Sequence, residues 1–298
     1  MKQYAPSYYL EFSCIADRCR HSCCVGWEID VDEESMARYA ALSCDYGAQI
    51  RQSIACEEET PHFQLTAQER CPHLDERGLC RIITHLGEGY LCEICREHPR
   101  FYHTTARTSE VGLGIACEEA CRIVLLSDAY RNMVAVGEDD SEEDAQSWDV
   151  LPYRARLYEI LSDRSVPYAE RLRQIGLACG VSLSQYADRE WRSLLAGLEY
   201  LDRSHKSLFS CYHSDAQAPK DWEAPLERAL AYFLYRHASA AWDETSFCIA
   251  VGFSLFCERL LASIGQRGGM TVEEAARILS EELEYSVDNT EQIMATFA

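Results

Sequence analysis

Between residues 14 and 24 the chain reads CIADRCRHSCC, four cysteines in eleven residues of a sequence of 298 that carries sixteen. Two further groups follow. One is CPHLDERGLC, Cys71 to Cys80, where Pro72 directly follows a cysteine and Gly78 allows a tight bend. The other is CEIC, Cys92 to Cys95, followed by HPR and then by Cys117-x3-Cys121. Thiolates at such spacings converge on soft metals, either tetrahedral zinc or iron-sulfur clusters. Zinc sites usually show two CxxC pairs or stereotyped Cys and His pairs, and here only Cys92 and Cys95 form such a pair. The C-x4-C run of Cys14 and Cys19 and the Cys71-Pro72 step lean toward iron and sulfur. Cys19 and Cys23 share one face if that stretch is helical. His21, His73, His85, His98 and His103 lie among the cysteines and are further candidate ligands, although a lone histidine is more often a surface or hydrogen-bonded core residue.

Disulfides are the weaker reading. The start, MKQYAPSYYLEF, has one lysine, no unbroken apolar run and no small-residue cleavage site, so a cytosolic location with reduced thiols is expected. The longest apolar stretch, Phe247 to Cys257, is too short to cross a bilayer and runs into Glu258 and Arg259, which predicts a buried helix and no membrane insertion. Forty-nine acidic residues against 28 basic ones leave a net charge of −21. That charge repels phosphate backbones and argues against nucleic acid as the main partner. It suits a lysine-rich protein or a positively charged cofactor, or solubility alone.

The elements around the cysteines divide unevenly. Twelve of the sixteen cysteines precede residue 125, and the acidic block GEDDSEEDAQSWD, Gly137 to Asp149, has the like-charge composition of a solvated linker. The expected organisation is a cysteine-rich metal-binding domain over 1–136 with loops and short helices, a linker over 137–149, and an α-helical bundle over 150–298, a mainly α fold. Trp222 to Trp242 places Leu226, Leu230, Phe233 and Leu234 at helical spacing, and Thr271 with Glu274 forms a capping-box signature before Ala275, Ile278, Leu279 and Leu283. Cys179, Cys211, Cys248 and Cys257 read as small core hydrophobes.

The segments FSCIADRCRHSCCVGWEIDVD (Phe12 to Asp32), CPHLDERGLCRIITHLGEGYLCEICREHPR (Cys71 to Arg100) and GIACEEACRIVLLSD (Gly114 to Asp128) resemble the flagellin lysine-N-methylase family (FliB-like), itself related to the YkgJ-type zinc- or iron-chelating domain. The resemblance continues more loosely through Tyr232 to Ser254 and Glu281 to Ile293. It implies methyl transfer from S-adenosylmethionine to the ε-amine of flagellin lysines by a protein holding a 4Fe-4S cluster, with zinc as the alternative. The motif cysteines that match are Cys14, Cys19, Cys23, Cys24, Cys71, Cys80, Cys95 and Cys117, whereas Cys92 and Cys121 fall outside the family pattern and Glu97-His98 replace an aromatic before the Pro-Arg. Eight thiols exceed one cluster. Four suffice, with Cys19, Cys23, Cys71 and Cys80 the leading set, and the rest bind a second metal or pack as core.

Such chemistry needs a deprotonated amine, in-line positioning of the methyl-sulfur bond, and acidic or aromatic groups around a sulfonium. Glu28, Asp30, Asp32, Glu93 and Tyr102 lie near the cysteine groups as candidates, each more often a structural residue. No G-x-G-x-x-G is present, the nearest being Gly112 to Gly114, and no C-x3-C-x2-C run occurs, so no cofactor pocket or catalytic base is announced. Either an iron with an open position chelates the amino-acid end of the cofactor, or a cluster capped fully by thiolate only braces the fold. Two classes of function stand: a protein-lysine methyltransferase, and a noncatalytic zinc- or iron-chelating module with a helical partner-binding domain. The oligomeric state is not encoded in any motif.

Overall fold

The N-terminal strand does not stay with the cysteines that follow it. In the computed structural model, which describes residues 1–56, 60–138 and 148–298, the chain packs as two units: Met1–Phe12 with Arg100–Ala298, and Ser13–Pro99. The strands are β1 (Lys2–Pro6), β2 (Ile54–Ala55), β3 (His62–Phe63), β4 (Arg100–Thr104), β5 (Ser109–Leu113) and β6 (Met133–Glu138). β1 pairs in parallel with β5 and antiparallel with β6, and β4 lies antiparallel on the other side of β5. This order, β4-β5-β1-β6, draws both termini of the expected first domain into the larger unit. The expected boundary at 137–149 is therefore corrected: the chain divides after Phe12 and before Arg100, because strand pairing joins segments about 100 residues apart that no local composition marks. Residues 139–147 of the acidic block lie outside the described residues.

The fold is mainly α, with thirteen α-helices among the described residues. In Ser13–Pro99 they are short: α1 (Glu33–Ala40), α2 (Asp45–Gln52), α3 (Arg81–Leu86) and α4 (Glu93–Glu97). The larger unit carries α5 (Glu118–Leu126), α6 (Leu151–Ser162), α7 (Tyr168–Ala178), α8 (Asp188–Gly197), α9 (His205–Phe209), α10 (Glu223–His237), α11 (Glu244–Arg267), α12 (Val272–Leu279) and α13 (Val287–Met294). The periodicity places α10 well: Leu226, Leu230, Phe233 and Leu234 are all buried. The Thr271 hydroxyl accepts from the Glu274 N–H at 3.3 Å and starts α12. α11 is long and apolar enough to cross a membrane by length and composition, yet most of its apolar window is buried in the protein core. Cys257 is fully buried there, and Cys179, Cys211 and Cys248 pack against the same core, as small hydrophobes do.

One buried ion pair ties sheet to helices. Glu110 on β5 and Arg154 on α6 meet through two bonds of 2.6 and 2.7 Å, with side chains 3 % and 7 % exposed. Next to it Gly112 leaves room for the Phe101 ring, since a Cβ there would lie 2.2 Å from Cζ. Removing one partner of a buried pair strands the other charge. Glu110→Ala is expected to lower stability by about 3–5 kcal/mol in urea denaturation, and more than Glu119→Ala, whose pair with Arg122 is partly exposed.

Candidate metal centre

Ser13–Pro99 has a small core of its own, in which Cys71 and Cys92 are buried among Ile29, Val31, Tyr39, Ile50, Phe63 and Ile82, with Cys24, Cys80 and Cys95 packed against them. Local hydrogen bonding explains how thiols distant in sequence arrive together. Segments 24–26 and 69–71 run antiparallel, the Cys71 N–H donating to Cys24 O at 2.8 Å and the Gly26 N–H to Glu69 O at 2.7 Å. Gly26 takes a φ of +77°, which suits a residue without a side chain at this bend. Asp75 then turns the chain: its Oδ1 accepts from the N–H groups of Arg77 and Leu79 at 2.8 and 2.9 Å, Gly78 takes a φ of +79°, and Leu74 bridges Cys80. Cys80 ends beside Cys71 at the start of α3.

The remaining pair is placed by α1. Asp32 accepts from the Ser35 N–H at 2.8 Å and from the Glu93 N–H at 2.8 Å, so one carboxylate caps α1 and α4 together. Arg38 donates to Leu91 O at 3.1 Å, and Tyr39 Oη donates to Tyr90 O at 2.7 Å and shares a 3.6 Å hydrogen bond with Cys92 Sγ. Cys92 occupies the position just before α4, and Cys95 follows one turn on, its thiol hydrogen-bonded to that of Cys92.

These thiols act on one another electrically. Burial, reinforced by Cys24, Cys80 and Cys92, pushes the Cys71 thiol up to about 12. Burial with Cys24 and Cys92 raises Cys80, and the hydrogen bond to Cys92, then burial, raises Cys95 far more. Cys24 moves the other way, to about 7, chiefly through a hydrogen bond from Cys23. Cys92 is lowered by Cys95. A soft cation would offset the burial cost and the repulsion that together disfavour the thiolates of Cys71, Cys80 and Cys95. The donor chemistry therefore fits a thiolate-held centre, although among the described residues no three His, Cys, Asp or Glu side chains are arranged about a single ion position.

Of the sequence-derived candidates, Cys24, Cys71, Cys80 and Cys95 are brought together. Cys14 is exposed, Cys19 donates to His21 O at 3.2 Å, and Cys23 is exposed beside Cys24. Cys117 stands at the position just before α5 in the larger unit. Cys92, left outside the motif set, joins the cluster, and the CxxC spacing itself was the signal for it. Cys121 is core, its Sγ donating to Glu273 O at 3.4 Å. His73 has both ring nitrogens engaged, Nδ1 with Tyr46 Oη at 3.0 Å and Nε2 with Ser53 Oγ at 2.9 Å, so it has no lone pair to give a metal. His85 stacks on Tyr46 at 4.4 Å, while His21 and His98 are half-buried. His103 and Tyr102 lie on β4 in the other unit. Glu28 faces His62 at 3.3 Å, and Asp30 bridges the same residue through its backbone. Glu93 gives its N–H to Asp32, and its carboxylate acts on Arg96.

The fold and this cluster define a mainly α protein whose smaller unit gathers thiols rather than tying them. A stretch of 126 residues is 32 % identical to the lysine-N-methylase of Salmonella typhimurium, covering 40 % of this chain and 31 % of that protein, and the Salmonella choleraesuis lysine-N-methylase matches equally. Over 143 residues the chain is 32 % identical to the flagellar biosynthetic protein FliU of Salmonella muenchen, covering 46 % of this chain and 82 % of FliU. The chain belongs to the flagellin lysine methylase family. Its match spans about a third of the length of the lysine-N-methylases. No family model matches, and no solved structure matches.

Two outcomes are expected. Cys71→Ser and Cys95→Ser should each lower bound metal, measured as iron, acid-labile sulfide and zinc per chain, while Cys44→Ser and Cys56→Ser, at exposed positions, should not. Asp32 is held down to about 2, burial opposing and the Glu93 and Ser35 hydrogen bonds prevailing. A carboxylate depressed in the folded state stabilises it above its unfolded value near 4, and that contribution is lost as pH falls through about 2. Asp32→Ala should thus cost about 1 kcal/mol or more at pH 7 and flatten this acid limb of the stability curve in pH-dependent denaturation.

Proposed function

We propose that this protein transfers the methyl group of S-adenosylmethionine to the ε-amine of flagellin lysines, in the cytosol before the flagellin is exported. Four of Cys24, Cys71, Cys80, Cys92 and Cys95 would hold a 4Fe-4S cluster, with zinc as the alternative occupant. The observation that carries the reading is the 32 % identity to proteins named lysine-N-methylase and to the flagellar protein FliU. The gathering of five thiols in one small core supports it. A cluster bound there supplies positive charge that offsets the thiolates and, where one iron keeps an open position, a Lewis-acidic contact.

The chain's own part is electrostatic and positional. Both reactants, a lysine ammonium and a sulfonium, are cations, and a net charge of −21 lowers the cost of bringing them together. The same acidity favours the charged ammonium, so the proton that the amine must lose before it reacts has to be taken by a positioned base. One observation favours a second reading, a noncatalytic metal-chelating module with a helical partner-binding unit: the match covers only 31 % of the lysine-N-methylases.

Methyl-labelled S-adenosylmethionine, anaerobically purified protein and flagellin separate the two. Label on flagellin lysines, located by mass spectrometry, is the expected result. No transfer to a range of flagellins by protein with its full metal content would overturn the methylase reading and leave the chelating module.

A further inference from the structure

The larger unit buries a second set of titratable groups, at the end of α10, that the thiol cluster does not use. Glu284 closes a π-helical turn, Ser280–Glu284, and its side chain is fully enclosed. Its Oε1 accepts from His237 Nε2 at 2.6 Å and its Oε2 from Tyr232 Oη at 2.9 Å, while Arg236 Nε lies 3.5 Å from Oε1. Tyr232 Oη in turn accepts from the Ile115 N–H at 3.3 Å and from Arg236 Nη1 at 3.0 Å, so Glu284 and Tyr232 are each held through more than one hydrogen bond. The turn itself is braced, since Asn289 Nδ2 donates to Glu282 O at 2.8 Å and Thr290 Oγ1 to Leu283 O at 2.6 Å. π-Turns are rare and concentrate at functional sites.

We propose that His237 is the general base that takes the proton from the lysine ammonium, with Glu284 as its positioning residue; this rests on the methyl-transfer reading above. A buried Arg236–Glu284 pair would suffice to pin α10 to the π-turn. His237 adds something else. An ionised carboxylate only accepts, so Nε2 carries the hydrogen and Nδ1 the free lone pair. Among the described residues Nδ1 makes no hydrogen bond, and the side chain keeps 10 % exposure. The ring is held edge-on against Phe253, with centroids 4.6 Å apart. The charged and titratable groups acting on it are Glu284, Arg236 and His103, and those acting on Glu284 include Tyr232, Tyr285 and Cys257. Burial keeps His237 below its ordinary value and Glu284 partly offsets this, so it stays neutral and able to accept at physiological pH.

The step balances. His237 Nδ1 takes one proton from the ε-ammonium and leaves a neutral amine. The amine lone pair forms the new N–C bond as the C–S electron pair departs with sulfur, so the sulfonium becomes a neutral thioether and the methylated nitrogen carries the charge. Glu284 offsets the imidazolium in the interval.

His237→Gln keeps an amide able to donate to Glu284 while removing the base. It should lower single-turnover methyl transfer to a flagellin peptide by about 10²–10⁴-fold with KM for the peptide changed less than about threefold. His237→Ala should regain part of that rate when imidazole is added. Separately, 15N NMR of the wild type should show Nδ1, and not Nε2, shifting when the lysine peptide binds. Variant rates within about threefold of wild type, or no Nδ1 shift on peptide binding, would overturn the proposal. A wild type that transfers no methyl yet shows the shift would overturn the functional reading alone.

Discussion

Thiolates repel one another, and five thiols share the small core of Ser13–Pro99. Burial of ionisable thiols, with that repulsion added to it, is the constraint on which the unit is organised. Burial and neighbouring sulfurs raise Cys71, Cys80 and Cys95, so the set stays protonated except where hydrogen bonds from Cys23 and Cys95 favour the anion at Cys24 and Cys92. A soft cation exchanges those protons for bonds and converts an electrostatic liability into a staple. The unit has short helices, a two-stranded sheet and few large apolar side chains, so a cross-link at its centre has much to stabilise.

Polar locks do the positioning that a larger core would do elsewhere. Asp32 reaches the first N–H of α4, Arg38 and Tyr39 hold the carbonyls just before it, and the Asp75 turn brings Cys80 back to Cys71. The Asp32, Arg38 and Tyr39 locks join residues that lie 51 to 61 positions apart in the chain, whereas the Asp75 turn is local. The larger unit relies instead on apolar burial, with single ion pairs such as Glu110–Arg154 at the seam of sheet and helices. Its buried carboxylate–imidazole pair, Glu284–His237, is surrounded by aromatic rings and one arginine, a setting in which a charged group is tolerated only because every oxygen of Glu284 has a donor.

Much of the helical unit was legible in the sequence. α10 follows from the spacing of Leu226, Leu230, Phe233 and Leu234, the start of α12 from Thr271, and the burial of α11 from its apolar run, because helix periodicity and capping are local properties. The sheet was not legible: β1 and β5 each span five residues, and nothing within either names the other as partner. The division of the chain was missed for the same reason.

The sequence by itself determined that this protein is thiol-rich, acidic and mainly helical, and three short motifs marked its family. Those properties are sums or short-range spacings. Which thiols meet was decided only by tertiary structure: Cys92 enters the cluster through Tyr39 and the α4 cap, Cys14 stays at the surface, and Cys117 belongs to the other unit. His237 and Glu284 lie 47 residues apart in sequence without a motif between them, and only the π-turn and the end of α10 bring one oxygen within 2.6 Å of one nitrogen. Hydrogen bonds of that kind depend on the geometry of packed elements, and a linear spacing carries no record of it.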